Sequence, residues 1–233
     1  MRTRSPQKIV IGVAVLSVAA IAAAYFLFFT PDSPDPLRLT DTAGGQATGS
    51  SDTALHGTWK VASGSEARYR IREKLAALPA QSDAVGSTPA VTGQVRVERT
   101  SGGIAAHDAR IEVDLTKLRS DESKRDNIIR NRGLETDKFP TATFVAAEPI
   151  RLTDEAATAQ PVKVSAVGDL TVHGVTKRVT IPLDAQLTSG RIQVVGSLTF
   201  PFSDFGMTAP SIGGFVTVTN NATLEFKLNF DRK

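Results

Sequence analysis

The sequence predicts an all-β domain of eight antiparallel strands with one or two short helices, preceded by an N-terminal transmembrane helix. Three features lead there. Residues 9–29 form an uncharged apolar run. The chain beyond them alternates apolar and polar residues with a period of two, the pattern of strands with one buried face. Helical periodicity is nearly absent from that part.

The apolar run, Ile9 to Phe29, is 21 residues long and broken only by Gly12 and Ser17. At ~1.5 Å per residue it spans roughly 30 Å, the thickness of a bilayer's hydrocarbon core. Arg2, Arg4 and Lys8 precede it without an acid, so residues 1–8 are the cytoplasmic flank and the domain is expected outside the cell membrane. The small cluster Ala22–Ala24 is followed by the bulky Tyr25–Phe29, which favours an uncleaved single-pass signal anchor over a cleaved signal peptide.

This placement changes the charge reading. The chain carries 27 Lys+Arg against 24 Asp+Glu, a net of +3. Setting aside Arg2, Arg4 and Lys8 leaves 24 of each, and no basic cluster interleaved with aromatics remains. A nucleic-acid partner is therefore disfavoured. The chain has no cysteine, which rules out disulfides, thiolate metal sites and a cysteine nucleophile.

Residues 30–54 are rich in Pro, then in Gly, Ser, Thr and Asp, and read as a flexible stalk. Residues 55–233 are the folded domain, without a repeat or a second linker. Its weaker strands are Trp59–Val61 continuing to Ala67–Ile71, then Val91–Val97, Ile111–Leu115 and Thr143–Ala147. The stronger ones follow: Val162–Val172 into the His173-Gly174 turn, Val179–Leu187 into Ser189-Gly190, Ile192–Phe200, and Leu224–Phe230. One helix is expected over Asp121–Arg132 with Ser120 as its N-cap. A second turn of helix covers Glu73–Leu78, stopped by Pro79.

Eight such strands satisfy either a sandwich or a closed barrel. The small inward residues Gly93, Ala166, Gly168, Ala185 and Gly196 suit a cavity or a packed core equally.

Chemistry-bearing motifs are scarce. His56, His107 and His173 are far apart, with no metal-ligand spacing, and His173 is read as bonding its own turn. No GxSxG or SxxK occurs, and Asp204-Phe205-Gly206 lacks every other kinase motif. Asp121-Glu122 and Asp154-Glu155 read as solvated faces. These readings point to a non-enzyme without a cofactor. What stands out is apolar: Phe200, Phe202, Phe205, Met207 and Phe215 bracket the Pro/Gly-rich stretch 209–214. Core packing explains them, as does a loop at the mouth of an apolar pocket.

Four segments together resemble the YceI-like family. They are Val113-Asp114-Leu115 with Ser120-Asp121 and Arg125-Asp126; Phe139-Pro140-Thr141-Ala142-Thr143-Phe144; Gly168 to Lys177, reading GDLTVHGVTK; and Asp204-Phe205-Gly206-Met207. The resemblance runs from about Gly57 to Phe230. It implies a lipocalin-like β-barrel binding polyisoprenoid or fatty-acyl lipids in a bacterial cell envelope. The chain departs from the family in its opening strand, Ala67–Lys74, which lacks the usual histidine. A longer Ala/Pro/Ser-rich insert follows to Thr92, and the membrane anchor is a further departure.

The resulting expectation is a stalked extracytoplasmic carrier holding an elongated apolar ligand inside the barrel. Tyr69, Ile71, Phe144, Leu170, Ile181, Leu198, Phe200 and Phe226 are expected to line the cavity. Phe205, Met207 and Phe215 are expected at its mouth. The competing expectation is an envelope interaction or scaffold module whose barrel is filled by its own side chains.

Overall fold

The computed structural model of the protein describes residues 33–40, 55–75, 81–100, 103–157, 160–209, 211–212 and 216–233. The expected transmembrane helix and most of the stalk lie outside the described residues. Among the described residues no helix is long and apolar enough to cross a membrane. The chain divides into two units, Met1–Pro34 and Asp35–Lys233, and every strand belongs to the second.

Thirteen strand segments are seen among the described residues: β1 (Gly57–Val61), β2 (Glu66–Leu75), β3 (Gln81–Thr88), β4 (Val91–Thr100), β5 (Gly103–Asp114), β6 (Arg119–Ser120), β7 (Thr141–Ala146), β8 (Ile150–Leu152), β9 (Val162–Val172), β10 (Val175–Thr188), β11 (Arg191–Pro201), β12 (Ser211–Ile212) and β13 (Val216–Arg232). They build eight staves, because β1–β2, β3–β4, β5–β6 and β7–β8 are each one path around the wall with a short break, and the two-residue β12 only pairs back on β13. All pairings are antiparallel, and the order runs β1-β4-β5-β7-β9-β10-β11-β13, closed by pairing of β13 with β1. The alternation of residues left sandwich and barrel open and the family resemblance implied a barrel; the β1–β13 pairing closes it as a barrel.

Each break is made good locally. Between β1 and β2 the Ser65 hydroxyl donates to Ala62 O at 2.7 Å and accepts from Asn229 N at 2.9 Å, so the interrupted β13 backbone keeps a partner. Pro89 separates β3 from β4, and Thr88, fully buried, accepts Ala90 N at 3.1 Å. After β5, Asp114 caps the turn at Thr116 N at 2.9 Å.

Three expectations are corrected. The insert before Thr92 contains the strand β3, whose small inward residues Ala84 and Gly86 hide its period, while residues 76–80 lie outside the described residues. Glu73–Leu75 is strand, not helix: it pairs with β3 on one edge and with Val216–Val218 on the other, bonding more backbone than a lone turn could. The helix α1 covers only Ser123–Ile128 and continues as a π-turn, Ile129–Gly133. Its N-cap is Glu122, which accepts Lys124 N at 2.9 Å. Ser120 belongs to β6, where both its N–H and its hydroxyl donate to Asp126 Oδ1.

Part of the stretch read as stalk touches the barrel's outer wall. Thr40 N donates to Gln193 Oε1 at 2.5 Å, and Pro36 and Leu37 lie beside Val195, an outward residue that is nevertheless buried.

The outer face of β2 and β3 carries an ion-pair ladder. Arg70 Nε donates to Glu225 Oε1 at 2.7 Å, and both Arg72 and Arg70 donate to Asp83. Arg72 first, then Arg70, holds the Asp83 carboxyl below the usual carboxylate range. A depressed carboxyl contributes stability above its unfolded-state pKa, and loses it as pH falls through the folded value. The urea midpoint should therefore drop on acidification below about pH 4, and Asp83→Asn should flatten that acid limb.

Candidate functional site

Alternation sends every second residue of each stave into the barrel. The interior is apolar and falls into two clusters. At one end Trp59, 1% exposed, donates its indole N–H to Leu55 O at 2.9 Å and packs with Ile150, Ala156 and Phe230. At the other end Phe202, Phe205 and Met207 pack with Leu115, Leu118 and Leu134. Between them runs a cavity of about 250 Å³ walled by aliphatic and aromatic side chains. This approaches the ~300 Å³ at which small-molecule sites begin.

The space exists because large residues are set over glycines. Tyr69 faces Gly86 across the β2–β3 pairing, Phe226 faces Gly196 across β13–β11, and Phe144 lies over Gly168. A Cβ at Gly168 would stand 2.4 Å from Phe144 Cζ and 2.5 Å from Val145 O. Each ring is thus laid flat along the wall, leaving the axis open.

The cavity wall includes Tyr69, Ile71, Phe144 and Leu170, and also Ile181, Phe200, Met207 and Phe226. Leu198 and Phe205 do not face the void. Leu198 packs against the Phe202–Met207 end, and Phe205, 1% exposed, meets Phe200 edge-on at 4.8 Å. Phe205 is therefore inside the packed end and not at a mouth, while Phe215 lies outside the described residues. Sequence reading missed Leu118, from the break between β5 and β6, and Ile129, Gly133 and Leu134, which line the space from the β6–β7 connection. The pair Ile128-Ile129 in an otherwise charged stretch was the available signal.

His173 ties that end together. It sits at φ 51° in the β9–β10 turn, with its side chain only 13% exposed. A carbonyl oxygen only accepts, so Nδ1 donates to Phe205 O at 3.2 Å, and Nε2 faces Glu135 Oε2 at 3.0 Å. Phe139 meets the ring edge-on at 4.6 Å. The expectation that His173 bonds its own turn is thus corrected: it joins three connections that are far apart in sequence. Lys138 first, and then His173, holds the Glu135 carboxyl below its usual range. Lys177 Nζ donates to Asp204 Oδ1 at 2.9 Å, a second tie between β10 and the Phe202–Phe205 turn.

Burial pushes the Tyr69 phenol up to about 12, against the opposing pull of Ser120 and Arg125.

Residues 59–230 match the family model described as the YceI-like domain. A polyisoprenoid binding domain from Saccharophagus degradans, implicated in plant cell wall breakdown, superposes with a TM-score of 0.58 at 18% identity, covering 76% of this chain and 99% of that one. BcnA of Burkholderia cenocepacia gives 0.54 at 17%, covering 71% and 95%. The YceI protein of Campylobacter jejuni gives 0.50 at 15%, covering 64% and 84%. At these identities the likeness is one of fold. A UPF0312 protein of Vibrio vulnificus is 38% identical over 79 residues, 34% of this chain, and the chain spans 38% of that relative's length.

Two substitutions check the geometry. Gly168→Ala should destabilise the barrel by about 1–3 kcal/mol in urea unfolding, because backbone as well as the Phe144 ring must move. His173→Asn tolerates the positive φ but cannot span from Phe205 to Glu135. It should cost about 1–3 kcal/mol and speed amide exchange in residues 129–139 and 202–207, leaving the Trp59 end protected.

Proposed function

The chain belongs to the YceI-like domain family, and we propose that it is a carrier that holds an elongated apolar ligand, a polyisoprenoid or fatty-acyl lipid, in the barrel interior. The observation that supports this reading is the apolar cavity. A barrel filled by its own side chains, the competing scaffold reading, would leave no such space. The named binding specificity of the Saccharophagus degradans domain favours the same ligand class.

The driving force is removal of hydrocarbon from water, roughly 25 cal/mol per Å². Burying on the order of 300 Å² of a lipid tail contributes about 7 kcal/mol before the ligand's ordering cost. The wall offers hydrocarbon rather than an acid–base pair or a nucleophile, so we read the protein as a binding protein and not an enzyme. In this reading residues 9–29 anchor the barrel on the outer side of the cell membrane, and residues 30–54 hold it near the bilayer that supplies the ligand.

Ala166 is 2% exposed and lines the cavity midway along β9. Ala166→Phe should fill the space. Lipid extracted from purified wild-type protein and identified by mass spectrometry should include a stoichiometric apolar species. That species should fall at least tenfold in the variant while circular dichroism stays the same. Equal recovery from both proteins, or none from wild type, would overturn the carrier reading.

A further inference from the structure

Residues 117–134 carry the cavity on one side and solvent on the other. Most of the cavity wall is paired strand, but here it is turn, short helix and π-turn. Leu118, Ile129, Gly133 and Leu134 line the space, and each is itself half-buried. The inner side of α1 is fastened to the barrel. Arg125 reaches Glu73 on β2 at 3.5 Å and pairs with Asp121, while Asp126 Oδ1 accepts the N–H and the hydroxyl of Ser120.

The outer side is different. Lys124 is exposed, and Ile128 lies four residues on, on the same helical face. Ile128 is half-buried, yet it belongs to neither core cluster and does not reach the cavity. Asn127, Asn131 and Arg132 are exposed beside them. The stretch holds six cations, Lys117, Arg119, Lys124, Arg125, Arg130 and Arg132, against three acids, Asp121, Glu122 and Asp126. It therefore carries +3 within residues 30–233, which are neutral as a whole. All three acids are engaged inside the segment, with Arg125, the Lys124 backbone N–H and Ser120. Apart from Arg125, none of the six cations has a carboxylate partner among the described residues. Just past the segment, Glu135 is bonded to Lys138 and His173, and Asp137 is exposed.

Resting on the carrier reading, we propose that the outer side of residues 117–134 is a docking face for an anionic bilayer surface. Its five cations without a carboxylate attract lipid phosphates, and Ile128 enters the headgroup layer among them. A bilayer suits this face better than an acidic protein or a nucleic acid. The face is the reverse of a wall of the hydrocarbon cavity, and it offers Ile128 rather than a stacking aromatic. Docking seats the helical end of the cavity against the lipid from which a carrier loads.

The chain has no cysteine, so Asn127→Cys gives a single site for a nitrobenzoxadiazole fluorophore on α1. The labelled full-length protein is reconstituted into vesicles of phosphatidylcholine alone or with about 30% phosphatidylglycerol. Both hold the same protein at the same density, so a difference between them reads the surface charge and not the tether. With phosphatidylglycerol the emission should shift to the blue and rise about twofold, and the change should vanish at ~0.5 M NaCl. Lys124→Gln/Arg130→Gln/Arg132→Gln should abolish it with circular dichroism unchanged. Lys60→Gln/Lys163→Gln/Lys233→Gln, which removes three exposed lysines of the Trp59 half, should leave it intact. Equal emission in the two vesicles, an equal loss in both triple variants, or suppression by inorganic phosphate at constant ionic strength would overturn the docking face. None of these touches the carrier reading, which the extracted-lipid measurement decides. Absence of any co-purifying lipid with the emission change intact would overturn the carrier reading alone.

Discussion

The barrel depends on β13. Its residues Asn221–Phe230 pair with β11 along one edge. On the other edge it pairs with β2 and then with β1. Without that double pairing the sheet would have two open edges and a flat apolar face. With it, the backbone groups of the last stave are bonded on both sides and the edge hazard is removed. The length of β13 also explains the break between β1 and β2: one long strand must meet two shorter ones that diverge, and Ser65 fills the hydrogen-bonding gap where they part.

Closure sets a second constraint, the filling of the interior. An eight-stranded barrel has a bore just wide enough to be filled by side chains or to hold one small ligand. Which outcome results depends on how large and small residues are placed around it. Here Tyr69, Phe144 and Phe226 each lie over a glycine of a neighbouring strand, so the rings line the wall instead of plugging the axis. Bulk is concentrated at the two ends, with Trp59 at one and Phe202 and Phe205 at the other. His173 then secures the second end by tying three connections with one side chain. The same geometry lays the Tyr69 ring over Gly86 and buries its hydroxyl beside Ser120.

The second half of the barrel was legible because its staves are long, regular and joined by tight turns. The alternation Val162 to Val172 and the Ser189-Gly190 turn hold their register through nearly every pair. The first half was harder for a definite reason. Its staves bend and break at Ser65, Pro89 and Leu115, and each break resets the two-residue period. The strand β3 was missed since Ala84 and Gly86 make a weak apolar face. Glu73–Leu75 was misread as helix because a charged, helix-favouring stretch carries no mark of the β13 strand that claims it. Tyr69, Ile71, Phe144, Leu170, Ile181, Phe200 and Phe226 reach the wall by strand parity. Leu198 has the right parity yet turns into the packed end, and Phe205 was expected at a mouth that its own burial closes.

Composition and periodicity by themselves determined that residues 30–233 are neutral and cysteine-free and that the folded domain is all-β with one apolar face per strand. Those are local or additive properties, readable from residue type and spacing. Closure into a barrel, the empty axis and the partners of His173 and Tyr69 were decided only in three dimensions. Each depends on contacts between residues tens to more than a hundred and fifty positions apart, such as Trp59 opposite Arg232 or Glu135 against His173. No spacing along one chain encodes which ring will lie over which glycine. That follows from the register that closure imposes on all eight staves at once.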